Sequence, residues 1–167
     1  LAALAPCTQE LASTLDRLDG HAEYALVVGW SDEAALQGLA AAHPELERRG
    51  RALREAGPAA RDARINLGRA VAERLSRRRD AAGRRLAGRL AALAPQHRLQ
   101  TPERDGEALR AAVLCRPEAE DALLAAIRAE AEALGFAPGP AEIRWIGPAP
   151  AFSFVDRDFA ASGGAAP

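Results

Sequence analysis

The run Ala108-Leu-Arg-Ala-Ala-Val-Leu-Cys115 decides how this chain folds. It is a nearly continuous apolar stretch of strand length, preceded by a polar loop, Gln96 to Gly106, that carries Pro102 and Gly106. Short apolar runs bounded by turn residues read as buried strands. Pro117 then stands at a first helical position. Leu123, Leu124, Ile127, Ala131 and Leu134 fall on one face of a helix over 118–134, which Gly135 ends. Ala141 to Ile146 supplies another strand, with Ile143 and Trp145 on one side. Strand, helix and strand within about 40 residues form a βαβ unit, which predicts a right-handed crossover to a parallel neighbour. Trp145 and Ile143 are accordingly expected beneath that helix, facing Leu123, Ile127 and Leu134.

Working outward, Glu23 to Trp30 (EYALVVGW) is a second strand of β-branched and aromatic character. Before it, Leu4, Leu11, Leu15 and Leu18 fit a helix that Gly20 stops. After it, Ser31 can cap a short helix from Asp32 to Ala42, and Pro44 opens another over 45–55. Ala59 to Ala94 then reads as one long Arg-rich helix between Pro58 and Pro95, with Leu67, Val71, Leu75, Ala82, Leu86, Leu90 and Leu93 on one face. Such a helix spans about 50 Å, longer than a compact domain of this size needs, so part of it is expected to stand out from the core. Gly83 and Gly88 flank Arg84-Arg85, where a close approach by another backbone or a partner is expected.

The fold class is therefore α+β. A small ferredoxin-like sheet of three or four strands, built from 23–30, 108–115 and 141–146, carries a long helical insertion over 44–95. Residues 1–20 read as a helix that is the remnant or edge of a missing N-terminal domain, 21–159 as the α+β domain, and 160–167 as a flexible tail.

Composition narrows the function. The chain has 167 residues, a net charge of -1 and 27% charged residues, which excludes a general polyelectrolyte binder. All 22 basic residues are arginine and they crowd into the central helix, while acids gather around Glu118 to Glu132. Cys7 and Cys115 make neither a disulfide framework nor a CxxC site, and Cys115 reads as a small buried hydrophobe. No apolar run reaches membrane-span length, so a reduced, cytoplasmic setting is expected.

Little in the chain points to catalysis. His21, His43 and His97 lack metal-site spacing, and the serines lack a nucleophile-elbow context. Without lysine there is no phosphate-binding loop of the usual kind and no Schiff base. Pairs such as Glu103/Asp105 and Glu120/Asp121 read as solvated charge. No enzyme, cofactor or metal is expected. The arginines remain. Glu73 precedes Arg77 by four and Asp80 precedes Arg84 by four, the favourable order for helix-surface pairs. Arg74, Arg78, Arg85 and Arg89 have no such acid and lie within about 60° of one another on the helical wheel, beside the apolar stripe. Their charge is answered either by the acidic 118–134 helix or by a partner protein. An Arg-rich nucleic-acid-binding module is the alternative, although no aromatic residue interleaves the helix to stack bases.

The C-terminal run Gly147-Pro148-Ala149-Pro150-Ala151-Phe152-Ser153-Phe154-Val155, following a strand, resembles the closing signature of the gas vesicle protein F/L family. Leu15-Asp-Arg-Leu-Asp-Gly20, Glu23-Tyr24 with Trp30 and Asp32, Asn66 to Leu75 and Leu109 to Leu114 agree with that family in order. Trp30, Trp145, Gly147, Pro148, Pro150, Phe152 and Phe154 thus stand as structural motif residues. The family tends to have bulkier aromatic residues where Ala149 and Ala151 stand here. The resemblance implies an accessory or minor protein of the gas vesicle. Such a protein binds the hydrophobic shell protein, other accessory proteins or both during assembly, without a cofactor, nucleic acid or membrane. Phe152 and Phe154, one residue apart, are expected to point the same way in an extended chain, and one or both to pack on the domain and fasten the Pro-rich run in place.

Overall fold

The computed structural model describes residues 5–155, with side-chain surroundings from residue 12 onward; the tail expected at 160–167 lies outside the described residues. The elements run α1 (Ala5–Leu18), β1 (Ala22–Gly29), α2 (Asp32–Ala42), α3 (Pro44–Glu55), α4 (Arg61–Leu93), β2 (His97–Gln100), β3 (Glu107–Cys115), α5 (Glu120–Ala133) and β4 (Glu142–Ala149). Short 3-10 turns at Gly57–Ala60, Pro117–Ala119 and Phe152–Phe154 join or follow them. Ser31 caps α2 by accepting the Ala34 N–H at 3.2 Å, with Asp32 and Glu33 in the first turn to complement the helix dipole.

The four strands form one sheet in the order β2-β3-β1-β4, every neighbour antiparallel. With helices between β1 and β2 and between β3 and β4, this is the ferredoxin-like arrangement, α2–α4 occupying the place of its first helix. Two expectations need correction. β3 and β4 do run parallel across α5, but they are not neighbours, because β1 lies between them and pairs with both. The reason is geometric: a helix about 10 Å across covers two strand spacings of about 4.8 Å, so the crossover leaves room for one strand beneath it. The second correction is β2, which lies in a segment read as loop. His97 faces Val113 and Gln100 faces Arg110 across an outer edge, where solvent on one flank tolerates such polar residues.

One face of the sheet carries the core. Tyr24, Leu26, Val28 and Trp30 from β1 and its end meet Leu109, Ala111 and Val113 from β3. Ala35 and Leu39 of α2, Leu75, Leu86 and Leu90 of α4, and Leu123 and Ile127 of α5 close over them. Trp145 is on this face as expected, yet it is only partly buried, because β4 is an edge strand with one open flank. Its ring stacks on Tyr24 with centroids 4.9 Å apart. Truncating it to Ala will therefore cost less than the roughly 3–5 kcal/mol of a fully buried aromatic. Burial pushes the Cys115 thiol above its ordinary value, consistent with a packing role.

The first buried residue of α4 is Leu75, and α3 has none. The α3 helix and the first third of α4 thus form a hairpin at the margin of the core, with Leu46 and Val71 packed against it and Leu53 and Leu67 half-buried. The close approach expected at the glycines occurs at Gly83, where an added Cβ would overlap the Ala108 carbonyl of β3. Gly88 faces open space. Gly83→Ala is therefore expected to lower the midpoint of urea unfolding. Gly88→Ala is expected to raise stability by about 0.5–1 kcal/mol through better helix propensity.

Candidate partner-binding surface

The basic ribbon on α4 divides once its surroundings are seen. Arg85 donates to Glu130 of α5 at 3.1 Å, so part of the charge is answered by the acidic helix. Arg78 reaches past that helix, its Nη2 donating to the Phe136 carbonyl at 2.8 Å while its guanidinium lies 4.9 Å from the centre of the Phe136 ring. Among the described residues Arg74 donates only to the Ala70 carbonyl of its own helix, at 3.4 Å. Arg89 is exposed and takes part in no ion pair among the described residues. Arg77 pairs with Glu73 at 3.1 Å on the solvent side. Arg79, outside the ribbon, holds Asp32 at 2.7 Å and ties α4 to the start of α2.

Phe136 was not singled out by sequence reasoning, although it organises this region. It is buried, it stacks on Trp30 with centroids 4.3 Å apart, and it presents both a ring and a carbonyl to Arg78. The one available signal was an aromatic residue directly after the helix-ending Gly135, where a chain leaving a helix commonly tucks a hydrophobic side chain back. Trp30 is thereby a core residue.

The opposite sheet face carries a second charged group. Glu107, 7% exposed, accepts from Arg144 at 2.7 Å, from Arg110 at 3.2 Å and from the Glu103 N–H at 2.9 Å. Arg110 also pairs with Glu103 at 3.0 Å, so one half of the Glu103/Asp105 pair read as solvated is engaged. Burial alone raises the Glu107 carboxyl, but the hydrogen bonds from Arg110 and the Glu103 amide, with the charges of Arg110 and Arg144, outweigh it and hold the group below its ordinary value. The cluster joins Arg144 to the local group 103, 107 and 110, a juxtaposition that only strand pairing creates.

The C-terminal motif fastens to this same face at its far end. Phe154 is buried on Ala112 and Leu114, beside Leu18 and Ala151, with the Arg98 guanidinium 5.6 Å from its ring centre. Glu23 accepts from the Ser153 N–H at 2.8 Å and from its hydroxyl, and the Phe154 carbonyl accepts from Arg17 at 3.0 Å. Gly147 leaves no room for a side chain, since a Cβ there would lie 2.5 Å from the Tyr24 ring and 2.8 Å from the Glu23 carbonyl. The peptide bond to Pro148 is cis. Phe152 departs from expectation. The segment is a 3-10 turn rather than an extended chain, so at about three residues per turn positions two apart diverge, and Phe152 is 77% exposed. Pro150 is exposed too, its carbonyl accepting the Phe152 N–H at 2.7 Å.

No group of three or more metal-ligating side chains meets among the described residues, and no described helix is long and apolar enough to cross a membrane. The family model for gas vesicle synthesis protein GvpL/GvpF matches residues 1–156, and the chain belongs to that family. The fold is similar to the crystal structure of the gas vesicle protein GvpF from Anabaena sp. PCC7120, with a TM-score of 0.67 at 20% identity, covering 92% of this chain and 61% of that one. GvpF from Microcystis aeruginosa gives a TM-score of 0.52 at 19% identity, covering 85% of this chain and 57% of that one. The chain thus spans less than two thirds of either protein. No curated protein matches it significantly.

Two outcomes follow from this geometry. Phe154→Ala should destabilise the domain by about 3 kcal/mol, while Phe152→Ala should stay within about 0.5 kcal/mol, measured by denaturant unfolding. Because the folded Glu107 carboxyl lies below its ordinary 4.5, its contribution is present above that pH and is lost as the pH falls through the folded value. The melting-temperature gap between wild type and Glu107→Gln should therefore be open at neutral pH and close in acid.

Proposed function

We propose that this protein is an accessory or minor structural protein of the gas vesicle, acting in the cytoplasm where it binds the hydrophobic shell protein, other accessory proteins or both during assembly. The observation that carries this reading is the family match over residues 1–156. The architecture is consistent with it. A ferredoxin-like core holds a charged two-helix hairpin at the margin of the packed interior, which suits a surface used for docking. Arginine is apt for that work, because its planar fork meets carboxylates and backbone carbonyls in two-pronged hydrogen bonds.

The reading is tested by co-expression. The tagged protein is expected to co-purify with the shell protein or with another accessory protein of the same vesicle gene cluster, and capture should weaken as salt rises. Capture of neither at any ionic strength would overturn it, as would steeply salt-dependent affinity for DNA or RNA in place of protein.

A further inference from the structure

Arg74, Arg77 and Arg78 border one open cavity of about 330 Å³ together with His43, at the elbow where α2 passes into α3. Two acids lie at its rim, each held by another of its lining residues: Glu73 pairs with Arg77 and Glu45 with His43 at 3.2 Å, so neither is hydrogen-bonded to Arg74 or Arg78. Among the described residues Arg74 and Arg78 each hydrogen-bond to one carbonyl and neither to a carboxylate, although each guanidinium offers five donors. A carbonyl satisfies a donor without neutralising the charge. Moreover, Nη1 of Arg78 is buried with no hydrogen-bond partner, a costly state for a charged group unless something meets it.

Arg78 also borders a second cavity, of about 220 Å³, with Arg85, Leu134 and Phe136. The two cavities therefore adjoin along α4, one basic and one with an apolar wall. Net charge reinforces the asymmetry. Residues 44–95 hold fourteen arginines against six acids, within a chain whose net charge is -1.

We propose that this double cavity receives an acidic segment of a partner protein. A carboxylate of that segment takes paired hydrogen bonds from Arg74 and Arg77 beside His43, and a neighbouring apolar side chain rests against Leu134 and Ala81. Charge complementarity selects the occupant. A nucleic-acid strand fits less well, since Phe136 is buried and offers no stacking face, and the second wall is apolar. The inference rests on the assembly-protein reading and adds to it a place and a partner chemistry.

The test uses the whole chain and a defined probe, a fluorescein-labelled peptide of alternating glutamate and leucine, followed by anisotropy. Saturable binding is expected, weakened about tenfold or more by R74E/R77E, because reversed charges at the contact repel the ligand. Both side chains can change without unfolding, since Arg77 is exposed and, among the described residues, Arg74 bonds only to its own helix. A matched reversal on α3, R48E/R51E, should lose little, and a lysine-for-glutamate peptide should bind R74E/R77E better than wild type. Equal loss in the two reversals, absence of saturable binding, or preference for a DNA duplex of equal charge would each overturn the proposal. Capture of vesicle proteins separates the two levels. If wild type and R74E/R77E capture equally, the cavity assignment fails and the assembly reading stands; if wild type captures none while the peptide still binds, the assembly reading fails and the anion-receiving cavity stands.

Discussion

The close seating of α4 on β3 at Gly83 is the constraint on which the rest of the molecule depends. A helix can approach a strand so nearly only where no side chain intervenes, and there the Ala108 carbonyl fills the space. With the helix axis held close, Leu75, Leu86 and Leu90 reach into the sheet face, and α2 and α5 pack on either side. That contact also sets which turns of α4 lie over the sheet and which lie beyond it. The hairpin and the arginine ribbon take their positions from it.

Arginine does several different jobs in this chain, and the partner decides which. Arg79 and Arg85 join elements through carboxylates, while Arg110 and Arg144 meet on a buried one and thereby tie β3 to β4 across β1. Arg78 holds the loop after α5 through a carbonyl and an aromatic ring, an arrangement in which lysine's compact ammonium would lose the planar stacking. Exposed pairs such as Arg77 with Glu73 contribute little to stability, which leaves them free for intermolecular use.

Much of this fold was legible in the sequence, because its strands and helices are locally unambiguous. The EYALVVGW run, the apolar stretch ending at Cys115 and the long Leu-Ala-Arg repeat each point to one element type, and the structure contains all three. What escaped depended on partners distant in sequence. His97–Gln100 is a strand only because β3 offers it a ladder, and β1 separates β3 from β4 only because both edges of β1 pair. The Glu107 cluster and the Phe136–Arg78 contact have the same origin, each closed by residues 37 and 58 positions apart. Phe152 escaped for a local reason, a tight turn where a Pro-rich chain suggested extension.

The α3 helix, with no residue buried, gives the molecule an uneven landscape of local opening. A segment held by few apolar contacts opens at far lower free energy than the core it is attached to, and it does so without unfolding the domain. Amide protons along 45–55 should consequently exchange with solvent much sooner than those around Leu86 and Leu90. A partner that docked there would suppress this local opening, and its affinity would be reduced by the entropy lost in doing so. Binding to this protein would then register as a slowing of exchange in the hairpin, with no change of fold.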